Sequence, residues 1–326
     1  MIPLLLLLPL LFLLAVYGRD SQKEQPRVVV IAIDGLRWQE VFEGAGRDSL
    51  MPFLWKMGKD KGCMLGNRNK NCRMEVANGI WKSYAGYSEM LCGVTDDAHI
   101  FDNRKQPNPN PSVFEMAEMS GAYKGSVSAV ASWDVIPYIL NTKRSGLDVD
   151  WNSSHRVSKQ VRCDSVTFSH ALRKLKEEHP KLMFVEFCET DYYGHHGKWK
   201  EYLDAAHRND RLIQQLWAYC QGDEFYRGNT TFIITCDHGS GESLGNHINR
   251  GEVDSLASWH EHGRKIAGSN QTWLVAFGKN IQHLGEVEGG RTIYTKQVAS
   301  TVASLLHIPF TSERSDMGRP IYKILK

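Results

Sequence analysis

Val28-Val29-Val30-Ile31-Ala32-Ile33 runs straight into Asp34-Gly35, and this junction decides the fold. An unbroken run of β-branched and small apolar residues reads as a strand buried on both faces, as in parallel sheets. The pattern returns at Leu182-Met183-Phe184-Val185, a few residues before Asp191, and at Phe232-Ile233-Ile234-Thr235-Cys236, directly before Asp237. In open α/β sheets ligands bind just beyond the carboxyl ends of the strands. Three carboxylates delivered to that edge, with His195 four residues after Asp191 and His238 directly after Asp237, describe a metal site.

Outward from these strands the chain alternates with helical spacing. Leu50, Phe53, Leu54 and Met57 predict a helix over Ser49 to Lys61; Val166, Leu172 and Leu175 predict one over Ser165 to Glu178, ended by His179-Pro180. The clearest helix is Lys198 to Cys220, whose stripe of Trp199, Tyr202, Leu203, Ala206, Ile213, Leu216 and Trp217 is core. Further strands are expected over Ser126 to Ala131 and Trp273 to Phe277, and a last helix over Lys296 to Leu306. The alternation predicts an α/β fold with a mostly parallel central sheet and helices on both faces. No composition break divides residues 19–326, which read as a single catalytic domain. The Pro/Asn-rich stretch Asn103 to Ser112 is a surface loop, and residues 133–164 are expected to form a cap near the site.

Composition narrows the function. Apolar content of 42% and charged content of 23% over 326 residues are those of an ordinary globular chain. A net charge of +2 argues against an extended nucleic-acid footprint and points instead to a small-molecule substrate. Residues 1–18, with Leu4 to Leu8 and Leu10 to Val16, have the length of a signal-peptide core. A secreted or periplasmic location is expected, with a membrane link only if that segment is kept as an anchor. Export permits disulfides, and Cys63 and Cys72 bracket a polar loop that a bridge would staple. The oligomeric state cannot be read from this chain.

Asp191 and His195 stand one helical turn apart. Asp237 and His238 are neighbours that face one site only after the backbone turns, and Gly239 and Gly241 permit this. His260 and His262 offer a further imidazole. Carboxylate-plus-imidazole sets suit zinc, whereas calcium and magnesium prefer oxygen alone. Asp34, Asp191, His195, Asp237, His238 and one late histidine exceed what one tetrahedral ion takes, so two divalent ions are expected, zinc before others. The nucleophile belongs on a helix N-terminus between the first two ligand strands. Ser83, ahead of a short apolar helix, fits, with Ser88 its rival.

These residues carry a family resemblance. The chain resembles the alkaline phosphatase superfamily, particularly its nucleotide pyrophosphatase/phosphodiesterase and phosphomutase-like branches. Ile33-Asp34-Gly35 is similar to that family's first ligand strand and Ser83 to its Ser/Thr nucleophile. Asp191 to His195 resembles its Asp-x-x-Gly-His motif, Asp237-His238-Gly239 its Asp-His-Gly and His262-Gly263 its late His-Gly. The resemblance implies an alkaline-phosphatase-like fold. It also implies one zinc on Asp191, His195 and His262, another on Asp34, Asp237 and His238, and a phosphoserine intermediate at Ser83. His262 is preferred over His260, whose neighbour Trp259 points to packing. His196 is expected to point away and His99 to be structural; Arg37, Lys82, Tyr192 and Tyr193 are candidate substrate contacts. Two departures stand out. Gly86 replaces the relatives' asparagine three residues after the nucleophile, which speaks against nucleotide diesters. Ser83-Tyr84-Ala85-Gly86-Tyr87 also lacks the Pro and Arg of a sulfatase motif. The expected activity is an exported two-metal phosphohydrolase. The competing readings are a phosphotransferase or mutase on the same fold and a non-catalytic zinc-stabilised binding protein.

Overall fold

The structure, a computed structural model, describes residues 25–44, 50–244 and 258–326. Residues 1–18, to which the export signal was assigned, lie outside the described part. At the centre is β1 (Arg27–Ile33). Val28, Val30 and Ala32 face one hydrophobic cluster and Val29, Ile31 and Ile33 the other, so alternate side chains fill two cores back to back. Burying each such Val or Ile contributes roughly 1.5–3 kcal/mol, enough to fix strand and register together.

The remaining strands are β2 (Gly62–Leu65), β3 (Met74–Glu75), β4 (Val127–Ala131), β5 (Val149–Asp150), β6 (Leu182–Phe187), β7 (Thr230–Thr235), β8 (Gln271–Thr272), β9 (Leu274–Gly278), β10 (Gly285–Glu286) and β11 (Ile293–Tyr294). An eight-stranded sheet has the order β10-β2-β9-β7-β1-β6-β4-β5, and a small sheet the order β11-β3-β8. From β5 through β4, β6 and β1 to β7 every pairing is parallel. The strand expected near Trp273 is β9, which runs antiparallel between β7 and β2. The sheet is mostly parallel, as its apolar runs imply.

Nine α-helices are described: α1 (Pro52–Lys61), α2 (Ser83–Cys92), α3 (Val113–Met119), α4 (Ile136–Ile139), α5 (Thr142–Ser145), α6 (Asp164–Glu177), α7 (Glu189–His195), α8 (Trp199–Gly222) and α9 (Gln297–Leu306). Tyr84, Phe114 and Val298 bring α2, α3 and α9 onto one face of the sheet. Leu54, Leu175 and Leu216 bring α1, α6 and α8 onto the other. Helix α1 begins at Pro52, later than its apolar spacing suggested. Proline suits a first turn because it has no N–H to satisfy. The next two amides, of Phe53 and Leu54, donate to the Asp210 carboxylate of α8 at 2.9 and 2.8 Å.

Residues 133–164 hold α4, α5, β5 and an antiparallel bridge between Trp133 and Val161. The segment is tied to the sheet edge by the buried Arg162, whose guanidinium donates to Asp150 at 2.7 Å. The staple expected between Cys63 and Cys72 is absent: all seven cysteines are free thiols, and both of these are buried. The Cys72 sulfur instead accepts the Gly66 amide at 3.4 Å, so a hydrogen bond within the loop holds it. Among the described residues no helix is long and apolar enough to cross a membrane.

Candidate two-metal site

The three central strands deliver the three aspartates. β6 and β7 flank β1, and Ala32 pairs with Thr235, so Asp34 and Asp237 leave adjacent strands at the same height. Gly35 makes the turn at φ +62°, and its N–H donates to Asp237 Oδ1 at 3.2 Å. A Cβ there would lie 2.7 Å from Asp191 Oδ1, so only glycine lets the first loop pass beside the third aspartate. Asp191 sits on α7, whose first amides are held from below: Asp164 accepts from Cys188 and Glu189 N–H at 2.9 and 3.2 Å.

The imidazoles converge on these carboxylates. His195 Nε2 lies 3.3 Å from Asp191 Oδ2, and His262 Nε2 lies 3.0 Å from His195 Nε2 and 3.8 Å from Asp191 Oδ1. His238 Nε2 lies 3.3 Å from Asp237 Oδ2, 3.6 Å from Asp34 Oδ1 and 3.1 Å from Ser83 Oγ. The His238 and His262 rings stack at 3.9 Å, joining the two halves. Each engages a backbone carbonyl through Nδ1: His238 that of Gly239 at 2.8 Å, His262 that of Trp81 at 3.1 Å. Both Nε2 atoms are thereby turned into the cluster, as ligand histidines require.

The electrostatics suit cations. Burial lifts the Asp34 and Asp237 carboxyls well above the usual carboxylate range, and neighbouring aspartate charge adds to it. Asp34 Oδ1 and Asp237 Oδ2 are buried without a hydrogen-bond partner. Unpaired buried carboxylate oxygens are costly, and a divalent ion removes the cost. At the other half, burial opposes ionisation of Asp191, but His195, His262 and His238 together hold its carboxyl below the usual range. Asp191 raises His195 to about 9, whereas burial, with His238 beside it, lowers His262 to about 3. Asp191, His238 and His262, and separately Asp34, Asp237 and His238, place one donor atom each within 4.8 Å of one another. The donor chemistry fits zinc.

Ser83 opens α2 with its hydroxyl facing His238. Ser88 is behind, accepting from Asn108 Nδ2 at 3.0 Å, away from the carboxylates. His260 faces Glu261 at 3.6 Å and packs edge-on against Trp259, outside the cluster. His99 pairs with Asp96 at 2.8 Å. His196, expected to point away, lines the cleft, with its ring on Tyr192 and Nδ1 2.7 Å from the Tyr192 carbonyl. Arg37 is no substrate contact: it is buried in a two-pronged ion pair with Glu40 at 2.6 and 3.0 Å. Tyr192 lines the cleft beside Asp34, Ser83, Trp133, Val135, Ser158, Gln160 and Val161, so part of the 133–164 segment forms its wall.

Asn103 went unnoticed in the sequence. Its Oδ1 accepts the Tyr84 N–H at 3.0 Å, and the residue lines the cleft beside Ser83. The Pro/Asn composition around it gave only a loop; the signal lies in a contact across the fold. A Cβ on Gly86 would lie 2.3 Å from the Asp237 carbonyl oxygen, so the glycine lets α2 pack on the ligand loop.

A family model described as type I phosphodiesterase/nucleotide pyrophosphatase matches residues 69–291. The chain belongs to that family. Solved structures share the fold of this phosphodiesterase-family chain. Wild-type alkaline phosphatase PafA is 11% identical with a TM-score of 0.63, covering 93% of this chain and 99% of its own. Murine ectonucleotide pyrophosphatase/phosphodiesterase 5 is 12% identical with a TM-score of 0.60, covering 88% and 97%. The lipoteichoic acid synthase LtaP of Listeria monocytogenes is 10% identical with a TM-score of 0.63, covering 92% and 76%. No curated protein matches the sequence. The family is one of phosphoester hydrolases, which agrees with the expected reaction class.

Proposed function

We propose that the protein is a two-zinc phosphodiesterase whose Ser83 attacks phosphorus. The observation that carries this reading is the convergence of Asp34, Asp191, Asp237, His238 and His262, with His195 against Asp191 and His262, beside one helix-terminal hydroxyl. Asp191, His195 and His262 would hold one ion and Asp34, Asp237 and His238 the other. When bound, such ions supply a Lewis acid that lowers the pKa of the serine hydroxyl and offsets charge on the phosphoryl oxygens. Ser83 then loses its proton to solvent, forms the Oγ–P bond, and the bond from phosphorus to the leaving alcohol breaks. Water hydrolyses the phosphoserine and restores the hydroxyl. The N-terminus of α2 and the Asn103 side-chain amide, whose Oδ1 takes the Tyr84 N–H, are placed to bind phosphoryl oxygens.

The wall favours a diester. Among the described residues no lysine or arginine lines the cleft, while Trp133, Val135 and Val161 offer an apolar side. A monoester dianion would find no lysine or arginine among those described wall residues; a diester is a monoanion and brings a second ester group to cover that side. The test compares bis(p-nitrophenyl) phosphate with p-nitrophenyl phosphate on zinc-loaded protein. The expected kcat/KM ratio favours the diester by at least about tenfold, or ~1.4 kcal/mol. A preference for the monoester would overturn the substrate class, and no turnover of either would overturn the enzyme. Phosphate appearing on an added alcohol instead of in solution would turn the reading to a phosphotransferase. Export belongs to the same reading and rests on the apolar run in residues 1–18. Secreted material should begin near Arg19 by N-terminal sequencing.

A further inference from the structure

The segment leading into Ser83 is held by groups that touch neither the nucleophile nor a carboxylate of the site. Glu89 of α2 is fully buried, and its carboxylate is saturated with donors. Ala77 N–H reaches it at 2.8 and 2.9 Å, Asn78 N–H and Asn78 Nδ2 at 2.8 Å each, and Lys296 N–H at 3.1 Å. The other end of the Asn78 amide works locally: its Oδ1 accepts from Ile80 and Trp81 N–H at 3.0 and 2.9 Å. That side-chain turn closes on Trp81, whose φ is +56°, a left-handed conformation that a bulky aromatic residue seldom adopts. Its carbonyl then meets His262 Nδ1 at 3.1 Å.

We infer that Asn78 and Glu89 are positioning residues for the metal centre, acting through the Trp81 carbonyl to fix the tautomer and ring direction of His262. An Nδ1–H given to a carbonyl leaves the Nε2 lone pair for an ion, and loss of such a support typically weakens metal binding by roughly 10–100-fold. The strained Trp81 backbone explains why so many bonds meet here: without Asn78 Oδ1 the peptide relaxes and its carbonyl swings off the imidazole. Two residues further on, the same backbone presents Ser83. One anchored strap thus sets both the distal histidine and the nucleophile, which stand in opposite halves of the site.

This inference rests on the two-zinc reading, and the experiment separates them. Zinc content and affinity are measured by chelator competition on the full chain, in wild type, Asn78→Ala and Asn78→Ser. Far-UV circular dichroism and melting of the metal-depleted proteins serve as controls. Cobalt(II) substitution reports ligand geometry independently of turnover. Expected is a loss of roughly 10–100-fold in affinity for one ion only and an altered cobalt spectrum, with the second ion held as in wild type even where the lost buried hydrogen bonds lower the metal-free melting temperature. Asn78→Ser, whose hydroxyl can accept from the same amides more weakly, should recover part of the loss. Glu89→Gln should weaken the same ion and spare the other.

Two ions held by Asn78→Ala as tightly as by wild type would overturn the inference alone. So would equal weakening of both ions in step with a lower metal-free melting temperature. Wild-type protein that binds no pair of ions would overturn the two-zinc reading and this one with it.

Discussion

Gly35 shows how little room the site leaves. Its φ of +62° and the 2.7 Å between a would-be Cβ and Asp191 Oδ1 both exclude a side chain. Gly35→Ala is expected to cost about 1–3 kcal/mol in stability from backbone strain alone, and to push Asp191 away from His195. Denaturant unfolding and zinc content together check this; a variant with wild-type values of both would remove the steric argument. Ser83 makes a chemical prediction instead. Ser83→Ala should lower kcat by at least about 1,000-fold while both zinc ions stay bound, because the carboxylates and imidazoles are untouched. Retained turnover would move the nucleophile elsewhere. Gly86→Asn, which restores the relatives' residue, should impair folding instead of improving diester cleavage, since the Asp237 carbonyl occupies that space.

Among the elements, α1 is the one whose stability should follow pH most plainly. Asp210 of α8 receives the Phe53 and Leu54 amides. Burial nevertheless lifts its carboxyl to about 6, against the pull of those two bonds. An unfolded aspartate titrates near 3.9, so the folded chain holds this proton more tightly than the unfolded one. The residue's contribution to stability is therefore full below pH of about 4 and lost as pH rises through about 6. The melting temperature of wild type minus that of Asp210→Asn should fall across this interval; a flat difference would refute the assignment. The elements also show what the sequence could and could not disclose. The apolar runs before Asp34, Asp191 and Asp237 identified the strands because burial on both faces leaves a local composition. The supports of Asp191 and His262 left no such trace. Asp164 and Glu89 act through contacts that bring together amides distant in the chain, and nothing in their neighbours marks them as partners; Asn78 closes a local turn whose tie to the site runs through Glu89 and the Trp81 carbonyl. Arg37 misled for a different, local reason: beside Asp34 it looks like a phosphate ligand, but Glu40, three residues on, pairs with it in the interior.

For the whole molecule the ions are expected to be structural as well as chemical. Asp34 and Asp237 are buried with unpaired oxygens at the ends of the two strands that share the sheet's centre. Free zinc at 100 times its dissociation constant would stabilise the fold by about 2.7 kcal/mol per site. Chelation should therefore lower the melting temperature by several degrees, reversibly on adding zinc back. An unchanged transition would mean that the carboxylates are settled without metal. The family match and the mostly parallel sheet agree with this arrangement, in which adjacent strands carry both the fold and the ligands.

The free thiols bear on handling. All seven cysteines are unpaired and all but Cys163 are buried, so recovery from denaturant should need no oxidising couple. A chromogenic disulfide reagent should titrate at most the Cys163 sulfur in the native protein and all seven after guanidinium. Production of residues 19–326 in a reducing cytosol should yield the same fold as passage through an oxidising compartment.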